Sequence, residues 1–229
     1  ERPSTWRLIY EGNGLANPEE IMMRVQGIIS LKDLPPLTNK PRSVQLWTNI
    51  HLRQAVSLTG LGTEKFEQSI DAIIHIHTIF SRTFKDGLLD PWLLSAFKDH
   101  NAIDISNRYF TSHRQSPNTV QLPFHKLVDP DRILEGMVDR DIVHSEENDV
   151  QYFELNTKNG DTREQYIRTD PTKFRIGDHV EVQMSFVGVP LKGGKVQMMA
   201  VLRALTLLDC RHSMVGIIWN IRRMTTLTQ

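Results

Sequence analysis

A strict alternation of polar and apolar residues marks the C-terminal half of the chain. Between residues 179 and 186 every second side chain is apolar, which is typical of a β-strand with one buried face. Pro190 ends this strand, and Gly193-Gly194 can reach the positive φ that a tight turn requires. Residues 196–208 are then apolar almost throughout. The pattern predicts a long antiparallel hairpin whose second arm is central to its sheet.

The N-terminal half carries helix signals instead. Asn17-Pro18-Glu19-Glu20 predicts a helix start, with asparagine as the cap, proline in the first turn and two carboxylates at the positive end of the helix dipole. This helix is expected to run to about Leu31. A second helix, with apolar residues as far as Val56, is predicted from Ser43, and a short helix from Asp90-Pro91.

The clearest helix pattern covers Thr63–Lys85. Apolar side chains recur there at three- and four-residue intervals, Thr63 is suited to the cap position, and Gly87 ends the pattern. Residues 101–130 show little periodicity and several prolines, so we interpret this segment as a connection. It predicts a domain boundary near Pro123, with residues 1–123 mainly helical and residues 124–229 forming a β domain.

Period-two patterns return after this connection. Three further strands, and a last segment that is a strand or a short helix, are predicted at Gly136–His144, Val150–Leu155, Thr162–Arg168 and Met214–Ile221. Five consecutive antiparallel strands with one apolar face can cover that face by curling. The sequence therefore predicts an α+β fold, with a helical N-terminal half and a curled antiparallel five- or six-stranded C-terminal sheet or small open barrel (OB-like).

Composition narrows the classes of function. The 229 residues include 27 basic and 27 acidic side chains, so a nucleic-acid site would have to be a local basic patch. Cys210 is the only cysteine, which excludes an intramolecular disulfide and favours an intracellular protein, nuclear or cytoplasmic. No apolar stretch approaches the roughly 18 residues that a membrane helix needs. Because the chain does not begin with methionine, we expect it to be part of a longer protein.

No segment carries a persuasive catalytic motif. A nucleophile elbow, a phosphate loop and a dinucleotide fingerprint are all absent from the sequence. One loop combines a histidine with several carboxylates, so a metal-dependent enzyme that works through His144, Glu146 and Asp149 is an alternative. Acidic segments between strands are more commonly solvated turns. We therefore favour a binding module over an enzyme, and expect no cofactor and no metal site.

Basic and aromatic residues on and near the hairpin form the predicted nucleic-acid surface. Small barrels often bind single strands by combining a basic groove with exposed rings. The predicted phosphate contacts are Lys192, Lys195, Arg203, Arg222 and Arg223, and the predicted stacking rings are Tyr152, Tyr166 and Trp219. One alternative is that these charges only protect a sheet edge. Another is a protein-interaction or scaffold domain, or a homo-oligomer, that pairs through a sheet edge or through residues 214–221.

Four segments of the hairpin region resemble a known sequence family. They are FRIGD at 174–178, VQMSF at 182–186, PLKGG at 190–194 and LRALTLLD at 202–209. They are similar to a segment found in expanded, uncharacterised predicted proteins of mushroom-forming (basidiomycete) fungi, over about the last 85 residues of this chain. That family has no established activity, so the resemblance assigns no role to any residue. Its expansion resembles that of mobile-element-associated genes, which implies a slight preference for nucleic-acid association.

Overall fold

The computed structural model describes residues 5–10, 19–38, 51–114, 118–156 and 165–209. No helix among them is long and apolar enough to cross a lipid bilayer. They form one α-helix, α1 (Glu64–Ser81), and thirteen strands. The strands are β1 (Trp6–Arg7), β2 (Ile9–Tyr10), β3 (Glu19–Glu20), β4 (Met23–Asp33), β5 (Arg53–Thr59), β6 (Ser95–Phe97), β7 (His100–Arg108), β8 (Thr111–Ser112), β9 (Ile142–Val143), β10 (Gln151–Asn156), β11 (Gln165–Arg168), β12 (His179–Pro190) and β13 (Val196–Asp209).

Five of these strands close into a barrel. Around the barrel the order is β4, β5, β7, β13 and β12, and β12 then pairs with β4 again. Strand β13 runs parallel to β7, while the other neighbouring pairs of the barrel are antiparallel. The sheet is extended by β1 alongside β12, by β6 alongside β7, and by β10 and β11 alongside β13. The barrel therefore takes its strands from both halves of the chain.

The predicted hairpin is confirmed, with β12 and β13 as its arms. Val180, Val182 and Met184 have no exposed surface, so the alternation seen in the sequence separates the barrel interior from its exterior. Gly193 and Gly194 at the turn have φ values of 83° and 81°, a conformation that favours glycine. Strand β13 has neighbours on both edges, which confirms its central position.

The strongest helix prediction is also confirmed. Helix α1 buries Phe66, Ile70 and Ile73 on the face that its sequence pattern indicates. A Cβ atom on Gly60 would lie 2.2 Å from the Phe66 Cβ, so the helix approaches the end of β5 closely only because residue 60 has no side chain. Thr63 is at the predicted cap position, although its side chain makes no cap hydrogen bond.

The prediction of a helical N-terminal half is wrong. Residues 19–31 belong to β3 and β4, Val56 lies within β5, and Asp90-Pro91 leads to β6 instead of a helix. In β4 the buried residues Val25, Gly27 and Ile29 alternate with more exposed ones, and the strand pairs with both β12 and β5. A helix cap contributes only about 1 kcal/mol. Pairing on both edges satisfies the strand's backbone groups, and the barrel core buries its apolar residues Val25 and Ile29; together these outweigh the local cap signals.

The predicted C-terminal barrel of consecutive antiparallel strands is wrong as well. Strands β10 and β11 confirm two of the predicted strands, but β10 joins β13 in parallel, and both lie outside the closed barrel. Residues 136–144 contain part of a 3-10 turn and the two-residue strand β9. Asn17, Ser43 and the segment 214–221 lie outside the described residues. The domain boundary near Pro123 stays a prediction.

Candidate anion-binding cleft

Strands β5 and β7 place two arginines side by side on the outer surface of the barrel. Arg53 begins β5, Arg108 ends β7, and the antiparallel register makes them direct partners. The next outward pair is Ala55 with Ser106, while the buried pair Gln54 with Asn107 between them faces inward. Like charges at opposed positions of a sheet repel each other. The pair therefore concentrates positive charge at one end of the β5–β7 ladder.

Strand β13 adds a third arginine at the same level. Val201 is in register with Ser106, and both Arg203 and Arg108 lie two residues further along their parallel strands. The row from Arg53 through Arg108 to Arg203 therefore crosses three neighbouring strands, and beyond Ser106 the side chain of Asn107 bridges β7 to the Leu202 carbonyl oxygen at 3.0 Å. The three arginines and Arg7 line one cleft with a volume of about 200 Å³, which we call the arginine cleft.

The lining of the arginine cleft combines polar groups with an apolar surface. Hydroxyl and amide groups come from Thr5, Ser106, Asn107, Thr111 and Asn148. The apolar part comes from the outer portion of the hairpin, at Val187, Val189, Pro190, Met199 and Val201. A ligand in this cleft would therefore meet hydrogen-bond donors and aliphatic carbon as well as positive charge.

Arg53 and Arg108 are half-buried and make no ion pair with an acidic side chain of the described residues. Arg53 donates a long hydrogen bond of 3.4 Å to the Ser106 hydroxyl. Burial lowers the pKa of Arg53, and burial together with the charge of Arg53 lowers the pKa of Arg108. Arginine nevertheless keeps its proton in proteins, so both positive charges persist.

Arg7 and Arg203 are paired, in contrast. Arg203 Nη2 lies 2.8 Å from Glu20 Oε2 and 3.4 Å from Glu147 Oε2. Arg7 lies 3.2 Å from Glu20 Oε1 and 2.6 Å from Glu147 Oε2. Two carboxylates thus neutralise two of the four arginines, and the remaining positive charge of the cleft lies at Arg53 and Arg108.

The turn that carries Glu147 is fixed to the barrel. Its carbonyl oxygen accepts a hydrogen bond from Asn107 Nδ2 on β7 and another from Arg203 Nη1 on β13, both at 2.9 Å. The neighbouring carbonyl of Asn148 accepts from Gln54 Nε2 on β5 at 3.1 Å. Contacts to three barrel strands therefore hold the backbone of Glu147 at one end of the arginine row.

The residues predicted from the sequence to contact phosphates or to stack on bases are dispersed. Lys192 is exposed at the hairpin tip, and Lys195 donates to Asp90 Oδ1 at 2.8 Å. Only Arg203 lies in the arginine cleft, where its side chain is 11% exposed and bound to glutamates. Tyr166 is 48% exposed on the outer strand β11. Arg222, Arg223 and Trp219 lie outside the described residues.

Two other residues singled out in the sequence belong to the core. Tyr152 is 2% exposed and its hydroxyl donates to Gln54 Oε1 at 2.7 Å, so its ring is not at the surface. His144 is 3% exposed, its Nδ1 lies 2.9 Å from the Tyr109 carbonyl oxygen, and its ring stacks on Phe124 with centroids 3.8 Å apart. Burial lowers the pKa of His144, which favours the neutral ring.

The acidic loop has a structural role. Asn148 Oδ1 accepts hydrogen bonds from the backbone and hydroxyl groups of Ser145, which shapes the turn. His144, Glu146 and Asp149 do not converge, and across the described ranges no group of three or more His, Cys, Asp or Glu side chains could hold a metal ion. The geometry therefore gives no support to the metal-dependent enzyme considered from the sequence.

Sequence reasoning missed Arg53 and Arg108 because their proximity depends on the β5–β7 pairing. Residues 101–130 read as a connection, yet they contain most of β7. One signal was available, because the buried residues Ile103 and Ile105 alternate with Asp104 and Ser106. That alternation indicates a strand but does not identify its partner.

No family model matches the chain, and no curated protein sequence matches it. Two solved structures are similar. One is gp2.5, a single-stranded DNA binding protein encoded by bacteriophage T7, with 10% identity, a TM-score of 0.44, and 82% of this chain and 91% of that chain covered. The other is a C-terminal truncation of the single-stranded DNA-binding protein from bacteriophage Enc34, with 10% identity, a TM-score of 0.37, and 88% and 95% covered. Similarity at this level assigns neither residues nor a ligand to this chain.

Proposed function

We propose that the protein is a non-catalytic binding module for single-stranded nucleic acid and that Arg53 and Arg108 contact its phosphates. The observation that carries this proposal is the cross-strand arginine pair, which is half-buried in a cleft and has no acidic partner among the described residues. A guanidinium group presents a planar set of donors that matches the oxygens of a phosphate. A phosphate between the two arginines would also remove their mutual repulsion.

The apolar part of the cleft favours a nucleotide over a small inorganic anion. A single strand presents unpaired bases, which could pack on aliphatic side chains such as Met199 and Val201 while the phosphate contacts the arginines. A duplex keeps its bases stacked and paired inside, so it would present only its backbone to this cleft. No aromatic ring lines the described cleft, so base contacts here would depend on aliphatic packing instead of the ring stacking common in such proteins.

Of two neighbouring surfaces, one is poorly suited to extend the contact with a strand. A shallow groove of about 370 Å³ shares Arg53 and Ser106 with the cleft and includes Lys32 on β4, but Asp33 and Asp104 also line it, so it offers no net positive charge. On the other side, the hairpin continues from Pro190, which lines the cleft, to the exposed Lys192 at the tip. Lys192 therefore stays in the proposed surface as a secondary contact, whereas Tyr152 is excluded from it by burial.

The proposal is tested by fluorescence-anisotropy titrations of labelled single-stranded DNA, single-stranded RNA and duplex DNA, each at two salt concentrations. We expect both single strands to bind more tightly than the duplex, with an affinity that falls as salt rises. Equal affinity for duplex and single strand would contradict the assignment to single strands. An absence of binding to all three polymers at low salt would refute the proposed function.

A protein-interaction domain is the second candidate function. Strand β6 pairs only with β7 among the described strands, and Leu93, just before it, is 82% exposed. An exposed strand edge can pair with a strand of another chain. Concentration-dependent association by light scattering, combined with no affinity for nucleic acid, would favour this candidate.

A further inference from the structure

We infer that Arg7 and Arg203 form a second phosphate site in the arginine cleft, and that the carboxylate of Glu147 occupies it until a nucleic acid binds. This inference rests on the proposed function and deepens it, because it identifies the residue that limits how many phosphates the cleft accepts. The ligand would be the next phosphate of the same single strand.

The position of the second site follows from the strand register. Arg203 lies on the strand next to that of Arg108 in the arginine row, so a phosphate at Arg203 would lie beside the first site across the sheet. Glu147 already places a carboxylate oxygen 2.6 Å from Arg7 and 3.4 Å from Arg203. A phosphate oxygen carries the same kind of charge and accepts the same hydrogen bonds.

Glu147 and Glu20 differ in how easily an incoming phosphate could displace them. Both carboxylates contact Arg7 and Arg203, but the side chain of Glu20 is 18% exposed whereas that of Glu147 is 49% exposed. An exposed ion pair contributes little net stability, since water and salt compete with it. The Glu147 carboxylate is therefore the partner that can be exchanged at low cost.

The exchange requires only a side-chain rotation. Hydrogen bonds from Asn107 and Arg203 hold the backbone carbonyl of Glu147 and involve no carboxylate atom. Rotation of the side chain would leave both bonds in place and open the space between Arg7 and Arg203. Such rotamer changes at exposed positions are fast compared with binding.

The test compares the wild-type protein with Glu147→Gln in anisotropy titrations of a labelled single-stranded DNA over a range of salt concentrations. The substitution keeps the shape and the backbone bonds of the residue but removes the competing charge. We expect binding about two- to fivefold tighter than wild type at low salt, as an exposed ion pair allows. We also expect the slope of log affinity against log salt to steepen by about 0.7, the value for one additional phosphate of a single strand.

Glu146→Gln is the matched control, because it removes the same charge from the same turn at an exposed residue that does not line the cleft. It should leave affinity and slope unchanged, whereas adding Arg7→Gln to Glu147→Gln should abolish the gain. If Glu147→Gln binds no tighter than wild type, or if Glu146→Gln gains as much, the second site is refuted while the proposed function stands. A wild-type protein that binds no nucleic acid refutes both.

Discussion

Arg53 and Arg108 are direct cross-strand partners in the β5–β7 ladder. This register places their two positive charges in the same cleft, where both side chains are half-buried. Such a pair lowers the stability of the sheet, since like charges on opposed positions repel. Within the part of the chain that the structure describes, no carboxylate pairs with either arginine. An anionic ligand is the most direct way to offset this cost, and the predictions below separate this ligand role from the structural roles of neighbouring residues.

Besides its place in the second phosphate site, Arg203 is expected to contribute to stability. Its 11%-exposed side chain donates to Ser185 Oγ, to the Glu147 carbonyl and to the Glu20 carboxylate. Arg203→Ala should lower the free energy of unfolding by about 2–3 kcal/mol, because it leaves partly buried acceptors unpaired. Urea denaturation measures the loss.

Lys195→Ala is the control for Arg203→Ala. Lys195 makes a more exposed ion pair with Asp90, so its removal should cost less than about 1 kcal/mol. Equal losses for the two variants would show that the Arg203 network contributes nothing beyond an ordinary surface pair.

Packing of α1 against the barrel gives a second prediction. A Cβ added at Gly60 would overlap Phe66, so Gly60→Ala should lower the free energy of unfolding by about 1–3 kcal/mol, as overpacked cores do. Gly136→Ala is the matched control, since a Cβ there meets no atom within 4 Å. Thermal unfolding of both variants measures the difference. A Gly60→Ala protein as stable as wild type would contradict the close contact between residue 60 and Phe66.

Burial of His144 predicts a pH dependence of stability. Burial lowers its pKa in the folded protein, whereas in the unfolded chain the value is about 6.5. Below that pH the unfolded chain binds a proton that the folded protein does not, so the free energy of unfolding should fall as the pH decreases from about 7 to 5.5. Urea denaturation at these two pH values measures the decrease.

His144→Gln should reduce this pH dependence, whatever its effect on stability at neutral pH. His75→Gln, at an exposed position of α1, should keep the wild-type difference between the two pH values. A pH dependence that is identical in wild type and His144→Gln would contradict the role assigned to the buried ring. His125, whose pKa burial also lowers, is expected to contribute to a dependence that persists.

The elements that could be predicted from the sequence are those whose pattern is local. The alternation from 179 to 186 and the stripe of α1 each depend on residues within one element, and both are confirmed. The sequence predicts a helix in place of strand β4 because the residues just before the strand resemble a helix start. The strand is stabilised by pairing with β12, which lies far along the chain. A local pattern predicts whether a segment is a helix or a strand, but it does not predict which distant segment it pairs with.

The candidate site depends on those distant partners even more strongly. The lysines at the hairpin tip can be recognised from adjacent residues, but Lys195 is paired with Asp90 from another part of the chain. Arg53 and Arg108 become a pair only through the β5–β7 register. The sequence pointed to a local basic patch, and its balanced net charge could not indicate which basic residues lack acidic partners.

The salt dependence of single-stranded DNA binding by Arg53→Gln/Arg108→Gln tests the central claim most directly. A matched control removes two positive charges elsewhere, as Lys65→Gln/Arg82→Gln on and next to α1, where both residues are exposed. If the cleft binds the strand, the arginine variant should lose at least tenfold in affinity, and its slope of log affinity against log salt should become shallower by about 1.4, the value for two phosphates. The control should keep the wild-type slope. Equal slopes for wild type and the arginine variant would contradict the assignment of Arg53 and Arg108 as phosphate contacts.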